Sequence, residues 1–146
     1  MRRRLRGWLD LPGSERWTLM LMLVWLPLIS ISLSVFGYVR TRSWIERLSP
    51  VPAPRGATAD DLESAERLAQ LAVIAGRHGA VTVTCLRQAL LVFGWLRRRG
   101  LAPELTLGVR KLDAQFDAHA WVELRGFALG QADLDYAPLK KRRRLR

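Results

Sequence analysis

The sequence predicts an α+β fold, two amphipathic helices followed by a small antiparallel sheet, behind a long apolar N-terminal segment. Three observations carry this. Apolar residues recur at helical spacing from Leu62 to Val73 and again from Leu86 to Leu96. After Gly100 the period changes to alternation, in "PELTLGVR" and "HAWVELR". Pro50, Pro52 and Pro54 separate these elements from an uncharged run, Trp17 to Tyr38. Helices first and strands afterwards is an α+β order, because a parallel α/β sheet needs them to alternate.

With 146 residues, 49% of them hydrophobic, the chain is one domain or one small domain plus an appendage, and it is not disordered. Lys and Arg number 24 against 13 Asp and Glu, for a net charge of +11. Much of that charge sits at the ends, in Arg2, Arg3, Arg4 and Arg6 and in "KKRRRLR" from Lys140 to Arg146. No nucleic-acid-binding fingerprint lies between them, so no specific nucleic acid is expected. Basic ends of this kind serve solubility or attract an anionic membrane or partner. Cys85 is the one cysteine, which excludes an internal disulfide and argues against zinc or iron–sulfur. Neither a metal nor a cofactor is expected.

Residues 1–50 form an apolar helical N-terminal region, with Ser14 as candidate N-cap and Glu15 in the first turn. Trp17 to Tyr38 runs 22 residues without a formal charge. At about 1.5 Å per residue that crosses roughly 30 Å of hydrocarbon. Pro27 and the spaced Ser30, Ser32 and Ser34 stand against a clean span. Three arrangements fit the stretch: a transmembrane anchor, a pair of apolar helices packed on the domain, or a signal peptide. The signal peptide is the weakest, since Arg40 and Arg42 follow directly and no small-x-small cleavage site does. A packed or membrane-surface element is favoured over a span.

Residues 51–60 read as a Pro-rich linker and 61–146 as the folded domain. Asp60 or Asp61 is expected to cap a helix running to about Arg77. Thr84 is expected to cap the next helix, which ends in Arg97, Arg98 and Arg99 with Gly100 as its left-handed C′ residue. Three strands follow, at Pro103–Arg110, His119–Arg125 and "FALG" after Gly126. On the second, Ala118, Ala120, Val122 and Leu124 share one face, and His119, Trp121 and Glu123 the other.

Cys85 falls in the first turn of its helix, where the positive end of the helix dipole and unpaired amides favour the nucleophilic thiolate. The same amides suit an oxyanion. His119, 34 residues on, opens a strand, and a helix bearing Cys packed on a sheet bearing His is the logic of a cysteine hydrolase. The plain alternative is a buried thiol and a structural histidine. His78, in a loop seven positions before Cys85, is the rival base. Trp121 reads as a cleft wall or core residue, and Arg97 to Arg99 as helix-end charges.

"TCLRQALLVFGWLRRRGLAPELTLGVRK" followed by "FDAHAWVEL" resembles the transglutaminase-like superfamily, and within it the lasso-peptide leader peptidases. The resemblance covers Leu62 to about Leu139 and implies a papain-like cysteine peptidase core. It implies an enzyme that removes the leader from a ribosomally synthesised lasso precursor peptide before macrolactam closure. Its partners would be that precursor, a small leader-recognition protein and an ATP-dependent macrolactam synthetase, with the cytoplasm, at or near its membrane, as location. Carried over, Cys85 is the nucleophile and His119 the general base and acid. The family's third member is an Asp, and here the aligned position holds Gln131. Asp133 and Asp135 lie just beyond, and Asp133 ranks first because an anion stabilises imidazolium better than an amide. Gln131 follows closely, since an amide can still orient an imidazole; Asp135 is third. Two other functions remain open: another transglutaminase-like protease or amidase, and a non-catalytic, membrane-attached scaffold.

Overall fold

The computed structural model describes residues 12–51, 56–78, 84–112, 115–130 and 137–138. They form α1 (Gly13–Leu48), α2 (Ala59–His78), α3 (Cys85–Arg98), β1 (Glu104–Leu112), β2 (Gln115–Leu124), β3 (Phe127–Ala128) and β4 (Ala137–Pro138). The fold is α+β, an all-helical first half and an antiparallel sheet of order β3-β2-β1-β4.

α1 is not one straight rod. Gly37, at φ 73° and ψ 176°, breaks it into arms at 13–36 and 38–48. That φ lies in the left-handed region, which a residue without a Cβ enters freely. Ser32 and Thr41 hydroxyls meet at 2.8 Å across the break, and the Phe36 and Trp44 rings at 4.6 Å. Nine residues of continuous helix span about 13 Å, so the second arm folds back on the first. The first arm packs one face on the domain, through Leu19, Met22, Leu26 and Ile29, and by length and composition α1 is also apolar enough to cross a membrane. Pro27 is absorbed within the first arm, where Ser30 Oγ donates to the Leu26 carbonyl at 2.8 Å. Ser14 is not the cap: the helix begins one residue earlier, and the Pro12 carbonyl accepts from the amides of Glu15 and Arg16.

α2 starts on Thr58 rather than on Asp60 or Asp61. Asp61 Oδ2 accepts from the Thr58 amide and hydroxyl, both at 2.9 Å, while Thr58 Oγ1 accepts from the Asp61 amide at 3.2 Å. This reciprocal pair is a capping box, with Asp61 in the role of the third-position acid. α3 ends as its Gly requires. Gly100, at φ 77°, donates to the Arg97 carbonyl and Leu101 to the Leu96 carbonyl, the paired bonds of a Schellman motif. Leu96 and Leu101 are both buried beneath it.

α3 is the hub, touching α1, α2, β1 and β2. Leu19, Met22, Leu26 and Ile29 of α1 meet Leu68, Ala72 and Ala75 of α2 and Leu90 and Leu96 of α3 in one cluster, closed on the sheet side by Ala120, Val122 and Leu124. Arg97 does more than balance a helix end. Its guanidinium donates to the Ser49 carbonyl at 3.1 Å and lies over the Phe93 ring, tying the close of α3 to the close of α1. β1 and β2 pair along their whole length, and Arg125 and Gly126, both at positive φ, turn β2 into β3.

Candidate active site

Cys85 opens α3, and Thr84 before it takes the N-cap position at φ −86° and ψ 160°. Thr84 contributes no side-chain cap bond; its carbonyl instead accepts from the Arg87 and Gln88 amides at 3.0 and 3.2 Å. The amides of Cys85 and Leu86 precede those and have no earlier carbonyl of the helix to reach. The thiol is free of disulfide and half-buried.

Cys85 faces a cleft of about 40 Å³ between three elements. α2 supplies Ala69, Ala72 and Val73, α3 supplies Gln88 beside Cys85, and β2 supplies Ala120 and Trp121. Alanine, valine and glycine make up most of its lining. Gln88 stands one helical turn after Cys85, on the same face, which that spacing alone would have flagged. Leu129 and Gly130 close one end.

His119 is on β2, next to Ala120 in sequence and stacked on Trp121, with ring centroids 6.1 Å apart and 21° between planes. Trp121 is buried yet lies outside the apolar cluster that takes in Ala120 and Val122, as alternation along β2 requires. Its Nε1 donates to Glu123 Oε1 at 2.7 Å; Trp121 lines the cleft, whereas His119 is not among the residues that do. Gly108 of β1 lies directly across from His119, so the position opposite the imidazole carries no side chain. The same Gly108 pairs with Pro138 on its other side.

Gly130 is the last described residue before the candidate third members. Its amide donates to Glu66 of α2 at 2.8 Å, and a Cβ built there would meet the Ala69 Cβ at 3.1 Å. The turn after β3 is thus pinned against α2 at the cleft. Gln131, Asp133 and Asp135 themselves lie outside the described residues, as does the side chain of His78, whose backbone ends α2. The residues that sequence reasoning had not singled out are Gln88, the small-residue wall of α2, and Glu66.

Against known families, residues 28–141 match the model described as the transglutaminase-like superfamily. The chain belongs to the transglutaminase-like superfamily. The match begins within the first arm of α1 and takes in α2, α3 and all four strands. The superfamily includes cysteine peptidases. No curated protein and no solved structure matches the chain.

Proposed function

We propose that this protein is a cysteine peptidase that cuts the leader from a ribosomally made lasso precursor peptide, upstream of macrolactam closure. The observation that carries the reading is Cys85 at an uncapped helix start, in a cleft shared with the tryptophan on which His119 stacks. In a transglutaminase-like chain that arrangement supports a thiol nucleophile with an imidazole partner.

The steps follow from the groups. Cys85 Sγ attacks the scissile carbonyl carbon while His119 takes the thiol proton. The tetrahedral oxyanion is held by the Cys85 amide at the positive end of α3. The C–N bond then breaks, His119 gives its proton to the departing amine of the core peptide, and a thioester to the leader remains. Water, deprotonated by His119, attacks the thioester; the leader leaves with a carboxylate and the thiol is restored. Asp133, with Gln131 as near-equal and Asp135 third, orients the imidazole through its far nitrogen. The alanine-lined cleft favours a small side chain beside the cut. A ribosomal precursor is met in the cytoplasm, so the reading includes a cytoplasmic catalytic face. A leader-recognition protein would deliver the precursor, and an ATP-dependent synthetase would take the freed amine.

The test is precursor peptide incubated with this protein and its leader-recognition partner, read by mass spectrometry. A single cut at the leader–core junction is expected, and Cys85→Ala should lower its rate by about a thousandfold or more with an unchanged circular dichroism spectrum. Equal cutting by Cys85→Ala refutes the nucleophile. Hydrolysis of unrelated peptide amides with the precursor left intact favours a general amidase.

A further inference from the structure

The first arm of α1 carries apolar residues on both of its faces, and only one is used by the fold. Leu19, Met22, Leu26 and Ile29 go into the core. Trp17, Met20, Val24, Leu28, Ile31 and Val35 recur three and four residues apart on the outer side, with Val24 61% and Val35 64% exposed. Of the exposed residues between Trp17 and Phe36, Ser34 alone is polar. At about 1.5 Å per residue this stripe runs roughly 27 Å. A continuous apolar surface of that kind marks a binding face rather than a solvated one.

We propose that this arm lies flat on an anionic phospholipid bilayer, with the Trp17–Val35 stripe sunk into the boundary between headgroups and acyl chains. Three observations select that occupant. The stripe offers almost nothing to hydrogen-bond, whereas a protein interface carries about one hydrogen bond per 100–200 Å². Charge is complementary: the chain is +11, Arg40 and Arg47 are exposed on the second arm, and both chain ends are basic runs. Trp17 and Trp44, both exposed, suit the amphipathic depth of the headgroup level.

The same geometry favours the surface over a span. The arm's inner face is packed into the core, and its neighbours are polar. Glu15 is paired with Arg67 of α2 at 2.8 Å, and the Arg98 guanidinium of α3 lies over the Trp25 ring. Crossing the bilayer would strip α1 from its core or drag those charges into hydrocarbon. Lying on the surface costs neither. The inference rests on α1 alone and stands or falls apart from the peptidase reading.

The experiment is co-sedimentation of the full chain with vesicles of mixed phosphatidylglycerol and phosphatidylcholine, and with phosphatidylcholine vesicles alone. Binding to the anionic vesicles is expected, weaker binding to the neutral ones, and release by alkaline carbonate. Val24→Asp/Leu28→Asp should weaken binding about tenfold or more, with the circular dichroism spectrum and Cys85 alkylation rate unchanged. Carbonate-resistant protein would overturn the proposal in favour of a span. Vesicle binding untouched by the double substitution would overturn it by removing the stripe from the contact. Absence of vesicle binding, with a folded wild type that loses self-association or leader-recognition-protein binding in the double variant, would assign the stripe to a protein interface instead.

Discussion

α2 and α3 both begin on a threonine, and the two starts are built differently. At α2, Thr58 and Asp61 exchange three hydrogen bonds and close the end of the helix. At α3, Thr84 offers no side-chain bond, and the next residue is the half-buried thiol of Cys85. One start is completed by its own side chains; the other has no side-chain cap and opens with a cysteine that lines a cleft. A helix start that forgoes its cap gives up about 1 kcal/mol.

After the loss of Cys85 itself, the largest effect should come from the group that orients His119. Alanine substitutions at Asp133, Gln131 and Asp135 should give one fall in precursor cleavage of about a hundredfold or more and two small ones. Three small effects would mean that the α3 start works through a Cys–His dyad. The two threonines come next. Thr58→Ala should lower unfolding stability by about 1 kcal/mol without changing chemistry at Cys85, whereas Thr84→Ala should cost only a few tenths. Equal losses in denaturant titrations would erase the contrast between the starts.

The smallest effect is electrostatic and concerns how α1 holds the α2 side of the cleft. The hydrogen bond from Arg67 keeps the Glu15 carboxyl below its ordinary range, against a weaker desolvation effect. A lowered folded value means the stabilisation is present above the unfolded carboxyl value of about 4.3 and is lost as pH falls through the folded value. Because the pair is exposed, the loss should stay under about 1 kcal/mol. Glu15→Gln should flatten that acid limb of the stability curve and leave the neutral region nearly unchanged.

Helical periodicity made α2 and α3 legible, because Leu68, Ala69 and Ala72, and Leu90, Phe93 and Leu96, are buried at the expected spacing. Gly100 was equally plain, since a glycine after three arginines has few other uses. The α2 cap went to the wrong residue because two adjacent aspartates hid the threonine that pairs with one of them. Gly37 was hidden in turn by the apolar run around it, where hydrophobicity reads as length and says nothing of a reversal. β4 is two residues long and exists through its pairing with Gly108 and Val109, which no local pattern encodes. At the site, Cys85 at a helix start and His119 on a strand face were readable. The α2 wall of the cleft was not, because alanines that line a gap look the same as alanines that fill a core.

If Cys85 is a reactive thiol assisted by His119, one label reads that assistance without any substrate. Cys85 is the single cysteine, so intact-mass kinetics of iodoacetamide modification at neutral pH report on it alone. His119→Ala should slow that modification by about tenfold or more, while His78→Ala leaves it near the wild-type rate. Identical rates for the wild type and His119→Ala would contradict the pairing on which the proposed chemistry depends.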